Sequence, residues 1–332
     1  MIQEKKRNNA FDVLASIYII FMIYGAHISH MTQTYSDSIW SGRTFLFTPY
    51  LAFFFIRSGY FHRKSSNTVW SLSINLLRKR LLMIFPFAFI GFVCSIIISN
   101  NTPIYTVLSN CKWFIVNGNF PSNGPLWFIT TLVLCELLII YIDRTFISLL
   151  LAVIISLIGC CVVIKYDIHL NWNIQNIFIC MFFYIIGILY KKWEKMIPTF
   201  LCLLLMPIII LNMYYNDSYI DLYNSELKWG GIFYFLLNSI FFIISFSTIY
   251  NRYINISNLA FNFIGSNSMV YYALHFPILL MFLHFIPSII GSELYAFYLF
   301  ALIMLFCTIY TKFSKQYPIM VGHHKYRRKN NQ

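Results

Sequence analysis

A chain of 332 residues that is 59% apolar and only 11% charged cannot dress a water-soluble fold, because soluble domains carry about a quarter charged residues. The net charge of +13 does not point to nucleic acid, since the basic residues sit in short loops and a terminal stretch between long apolar runs. What remains is an all-α, polytopic membrane bundle, read as one domain over residues 1–332.

Ten apolar runs are each long enough to cross a hydrocarbon layer about 30 Å thick at roughly 1.5 Å per residue. They are predicted at 11–26, 45–61, 81–99, 125–142, 146–164, 174–190, 199–214, 230–250, 261–285 and 294–313. Their continuity favours helices over the ten-residue alternation of membrane strands. The first run is followed by no small-residue cleavage site and is expected to remain as a helix. The second and seventh runs are short, and Gly265 to Ser268 with Pro277 are positions that break or shorten the ninth. Residues 100–124 form the longest polar stretch and are read as a loop. Within it, Gly118, Pro121, Gly124 and Pro125 predict a turn leading back into the membrane beside Trp127.

With the amino terminus placed in the cytoplasm, nineteen of the 24 Lys and Arg fall on the inner side, and only Arg43, Lys112, Lys165 and Lys228 face out. Both termini are therefore expected inside, and the basic tail of 318–332 suits anionic membrane lipid. All eight cysteines but Cys111 lie within apolar runs, without CxxC or Cys/His spacing, so neither a disulfide framework nor a metal site is expected.

Ionisable groups inside the hydrocarbon cost at least about 2.5–3.5 kcal/mol, so each one needs a reason. His27 lies roughly 24 Å from the inner end of its run and His275 roughly 21 Å, which puts two imidazoles in one layer. Each is a candidate general base, or an interfacial histidine that merely satisfies its hydrogen bonds. Arg57, roughly 9 Å inside the inner boundary, either snorkels or offers a planar fork of donors to phosphate. Glu136 is near mid-membrane, where a carboxylate is paired or protonated and serves to hold helices together. Asp12 sits at a helix amino terminus, where an acid favours the macrodipole. Trp127 reads as a belt residue.

Five segments in order, FDVLASIYIIFMIYGAH, FFFIRSGYF, RKRLLMIFPFAFIG, GPLWFITTLVLCEL and YYALHFPIL, resemble the acyltransferase 3 family of membrane-bound acyltransferases over nearly the whole chain. The likeness is to the branch near fucose 4-O-acetylase and the O-acetyltransferases of surface polysaccharide. The resemblance implies transfer of an acyl group, usually acetyl, from cytoplasmic acetyl-CoA as co-substrate to a hydroxyl of an extracytoplasmic or lipid-linked glycan in a bacterial plasma membrane. No bound cofactor is implied. On that basis His27 and His275 are the catalytic candidates, Arg57, Arg78, Lys79 and Arg80 the donor-binding ones, and Trp127, Glu136 and Asp12 acceptor-binding or structural. The family's basic residue eleven positions before the first-helix histidine is absent: Ser16 stands there, with Ala15 beside it. Arg57 lies at the same inner depth on the next helix and is the candidate replacement. Met83 likewise stands where many relatives carry Arg. Two other classes compete, a flippase or transporter of lipid-linked glycan and a nonenzymatic assembly protein, although no internal repeat favours transport.

Overall fold

The computed structural model describes residues 9–34, 49–64, 68–99, 101–143, 145–215, 229–254, 258–286 and 291–316. Both chain ends, including the basic tail, and the start of the second expected span lie outside the described residues. Among the described residues every regular element is helical. Helix α1 (Asn9–Phe21) continues through a π-helical stretch (Met22–Ile28) into a final turn (Ser29–Thr32). It is followed by α2 (Tyr50–Tyr60), α3 (Val69–Ile98) and α4 (Pro103–Asn117). A 3₁₀ turn at Gly124–Leu126 leads into α5 (Trp127–Ile142), then α6 (Phe146–Lys165). After a second 3₁₀ segment at Asn171–Asn176 come α7 (Ile177–Trp193), α8 (Thr199–Tyr215) and α9 (Trp229–Ile249). The chain closes with α10 (Leu259–Ser266), α11 (Ser268–Phe285) and α12 (Glu293–Gln316).

Eight of the described helical spans are long and apolar enough to cross a bilayer, with a shorter apolar stretch at Thr199–Met213, so this is a multi-pass helical membrane protein. The spans of α1 and α7 are each 67% buried within the protein, against 22% for α3 and 33% for α6. The first two form the centre, and the others turn apolar side chains such as Phe85, Phe89, Ile147 and Ile155 toward lipid.

Three expectations are corrected. The third run starts at Val69, not at residue 81, because Thr68 caps the helix by accepting from the Ser71 N–H and no breaker precedes Pro86. Arg78, Lys79 and Arg80 are therefore mid-helix residues of a helix about 45 Å long, well beyond the hydrocarbon thickness. The polar stretch 100–124 contains α4, opened by Pro103 in its first turn and closed by Gly118 at φ 72°. Its polar side faces the protein, with Asn110 donating to Ser95 Oγ at 2.5 Å and Thr106 to Ser99 Oγ at 2.9 Å, while Ile104, Leu108, Trp113 and Ile115 are exposed. That inverted pattern suits a helix lying in the membrane interface.

The ninth run is two helices. Ser16 on α1 donates to the Phe261 carbonyl, and the Asp12 carbonyl lies against Gly265, so α10 runs antiparallel to α1. The chain turns at Asn267, whose side chain donates to the Phe263 carbonyl at 2.6 Å, and α11 returns toward the far side of the bundle.

Two contacts set the packing around the centre. Helix α2 has only 11 residues, but Gly59 faces the Tyr184 carbonyl while Gly187 of α7 faces the Ile56 carbonyl. A Cβ at either glycine would overlap backbone, so the two helices meet closely through a reciprocal pair of small residues. The second contact begins with Pro277, which has no N–H and so leaves the Ala273 carbonyl without its helical partner. Asn123, fully buried in the loop before α5, donates to that carbonyl at 2.9 Å and to the Phe87 carbonyl at 3.2 Å. The loop fits against α3 because Gly91 has no side chain there: a Cβ would stand 2.6 Å from the Pro121 carbonyl oxygen.

Replacing Asn123 by Leu strands the Ala273 carbonyl in a dry interior, an expected loss of about 1–3 kcal/mol. Thermal unfolding in detergent is expected to show a midpoint lowered by several degrees, and an unchanged midpoint would mean that this amide does not hold the loop.

Candidate active site

The charged hub of the bundle is Arg57. From α2 its guanidinium reaches Asp12 Oδ1 on α1 at 2.9 Å, the Gly265 carbonyl at the end of α10 at 3.1 Å, and Ser268 Oγ at the start of α11 at 2.9 Å. The pair is largely withdrawn from solvent, with 18% and 7% of the two side chains exposed. Arg57 thus neutralises the buried carboxylate and satisfies a carbonyl at a helix carboxyl end, a favourable place for a cation. Helix α1 carries no basic residue of its own at this level, and the neighbouring helix supplies one.

At the other end of the same helices stand the two histidines. His27 lies in the π-helical stretch, an unusual conformation that widens the turn and occurs often at functional sites. Its Nδ1 is 3.0 Å from Nε2 of His275 on α11, and the ring centroids are 4.8 Å apart. His275 is completely buried, and its Nδ1 lies 3.1 Å from the Tyr271 carbonyl oxygen. His27 is half-buried, with the edge of Phe276 against it. His30 and His284 are exposed.

A cavity of about 780 Å³ opens among α2, α3, α5, α7 and the α10–α11 turn. It is of a size that takes a drug-like or cofactor-sized molecule. Five cations line it, Arg57, Arg63, Lys64, Lys79 and Arg80, against two carboxylates, Glu136 and Asp143. Its apolar wall includes Phe54, Phe128 and Tyr272. The Tyr272 hydroxyl donates to the Pro125 carbonyl at 2.8 Å, and its ring lies 6.1 Å from that of His275. The cavity wall and the histidine pair are therefore one residue apart.

The candidates separate by position. Arg80 and Glu136 form a two-point ion pair across α3 and α5, with Nε to Oε2 at 2.7 Å, so the mid-membrane carboxylate is paired and Arg80 is already engaged. Lys79 is exposed at the cavity wall. Arg78 is exposed as well but does not line the cavity. Trp127 is buried in the core with its ring edge-on to Phe128, away from the cavity wall.

Sequence reasoning passed over a cluster at the mouth. Asp143, at the end of α5, meets Lys64 Nζ at 3.1 Å and His62 Nε2 at 3.4 Å. The Tyr184 hydroxyl is 3.4 Å from His62 Nδ1, and Lys191 donates to the His62 carbonyl at 2.9 Å. Burial pulls the His62 pKa below its ordinary value; Asp143 opposes this and Lys191 adds to it. These partners are separated by up to 129 residues, so no local motif announces them. The same contacts place the basic loops together, as does Arg252, which donates to the Glu194 carbonyl at 3.1 Å. Among the described residues no group of three or more His, Cys, Asp or Glu is arranged to hold a metal ion.

A family model described as an acyltransferase domain, acyltransferase 3, matches residues 8–312. No curated protein and no solved structure gives a significant match.

Removing Arg57 alone, as Arg57→Leu, takes the guanidinium away from the largely buried Asp12 carboxylate, an expected loss of about 3–5 kcal/mol. The double variant Arg57→Leu/Asp12→Leu is expected to regain most of that loss in thermal or denaturant unfolding, giving a coupling of opposite sign to the single losses. Additive losses would show that the two side chains are not energetically paired.

Proposed function

We propose that this chain, a multi-pass membrane enzyme that belongs to the acyltransferase 3 family, moves an acetyl group from cytoplasmic acetyl-CoA to a hydroxyl of a cell-surface or lipid-linked glycan in the plasma membrane. Family membership makes the protein a membrane acyltransferase. The observation that carries the finer reading is the adjacency of a cation-lined cavity to a histidine pair at 3.0 Å. Phosphates are anions that seek Lys and Arg, and a thioester needs only an apolar approach to the reacting oxygen.

In this reading the donor enters from the basic face. Lys79 and Arg63, exposed at the wall, meet its phosphates, while Arg57 and Arg80 stay in their ion pairs and shape the inner wall. The thioester end lies toward Tyr272. From the opposite side the acceptor hydroxyl approaches His27, whose imidazole takes its proton as the oxygen attacks the thioester carbonyl carbon. The carbon–sulfur bond breaks, and the thiolate leaves with the proton returned by the imidazolium. An ester and a free thiol are formed, with no net proton released.

Purified protein in lipid, supplied with acetyl-CoA and the host's surface glycan, is expected to release coenzyme A in a glycan-dependent way. His27→Ala is expected to lower kcat by about 10²–10⁴-fold. Lys79→Ala and Arg63→Ala are expected to raise KM for acetyl-CoA several-fold with kcat little changed, the signature of lost uniform binding. Full activity in the His27 variant, or no binding of acetyl-CoA to the wild type, would overturn the assignment.

A further inference from the structure

The two histidines are not equivalent. His275 is completely buried, and the oxygen 3.1 Å from its Nδ1 belongs to the Tyr271 backbone carbonyl. A carbonyl only accepts, so Nδ1 of His275 carries a proton and donates it. No ion pair with a carboxylate holds a charge on this ring among the described residues. An imidazole sealed in an apolar interior without a counter-ion is neutral. With its single proton on Nδ1, its Nε2 has a lone pair and can only accept. The 3.0 Å contact with His27 then has one direction: Nδ1–H of His27 donates to Nε2 of His275. That leaves Nε2 of half-buried His27 without a proton, the form a general base must have.

We infer that His275 is a positioning residue: a chain of one-way hydrogen bonds, from His27 through His275 to the Tyr271 carbonyl, holds His27 in the tautomer whose Nε2 accepts the substrate proton. His275 itself is no base, because one of its nitrogens is spent on the carbonyl and the other on its neighbour. When His27 Nε2 takes the hydroxyl proton, the Nδ1–H bond to His275 strengthens as the ring becomes cationic, and it relaxes when that proton passes to the departing sulfur. No proton needs to leave along the chain, since the Tyr271 carbonyl is a terminus that cannot accept one covalently. The surrounding structure holds the second ring still: the Asn123 side chain is bonded to the carbonyl of Ala273, and the Tyr272 hydroxyl to that of Pro125, both within one turn of His275.

The inference rests on the acyl-transfer reading for its catalytic meaning, but its first test does not need activity. The full chain is labelled with ¹⁵N-histidine and reconstituted in lipid, and the His27 ring signals are identified by their loss in His27→Gln. Wild type is expected to show His27 with a proton on Nδ1 and none on Nε2 near neutral pH. A proton on Nε2 of His27 would overturn the inference, whatever the enzyme's activity. In the second test, His275→Leu, which offers no acceptor, is expected to lose the single tautomer and at least about tenfold in kcat, with KM for acetyl-CoA unchanged. His275→Gln, whose amide oxygen accepts from Nδ1–H, is expected to recover both the tautomer and most of the rate. Equal rates in the Leu and Gln variants would overturn the positioning role. Wild type with the expected tautomer but no glycan-dependent coenzyme A release would sink the acyl-transfer reading and leave the tautomer assignment standing.

Discussion

A carboxylate in a membrane interior must find a cation among its neighbours, and in this protein Asp12 finds it on another helix. Because the guanidinium of Arg57 also holds the Gly265 carbonyl and the Ser268 hydroxyl, a single side chain ties α1, α2 and the turn between α10 and α11. Such a buried pair adds little net stability once desolvation is counted, but breaking it is costly, so its value lies in excluding other registers. The histidine pair sits on the same two segments further along, His27 beyond α1 and His275 on α11. Fixing one end of those helices fixes which faces meet at the other.

The site divides its chemistry by position. Charge is gathered at the mouth and along the cavity wall, where Glu136 and Asp143 partly compensate the surplus of Lys and Arg. The histidine pair is set apart among aromatic side chains, with Phe276 and Tyr272 against it. Hydrogen bonds between neutral rings are stronger and more directional in such surroundings than in water. Tyr272 belongs to both regions, which gives the cavity a defined inner end next to the reacting groups.

Much of this was legible in the sequence because hydrocarbon imposes a simple rule on run length, and the described spanning helices fall where continuous apolar runs stand. Helix α4 escaped because its polar side chains dilute the average hydropathy, although its opening proline and closing glycine are ordinary helix punctuation. The split in the ninth run was signalled by Gly265 and Ser268, but nothing local shows that α10 runs antiparallel to α1. The ionisable residues were recognisable as a set, since each is expensive in a membrane. Their pairing was not: Arg80 and Glu136 stand more than fifty positions apart, and the His62–Asp143 contact joins residues that were not singled out at all. Asn123 lies in the stretch read as a loop with nothing local to mark it, and its importance depends on a proline 154 positions later that frees one carbonyl.

The reciprocal glycine contact between α2 and α7 has a consequence for the order of assembly. Helix α2 has 11 described residues, and its close partner lies 128 positions further along the chain, from Gly59 to Gly187. At about 5–20 residues per second, α7 leaves the ribosome some 6–25 s after α2. During that interval the growing chain holds α2, with Arg57 in it, before its reciprocal glycine partner on α7 has been made. Asp12 is already present, so the ion pair that later sets the register also gives α2 its earliest partner inside the membrane.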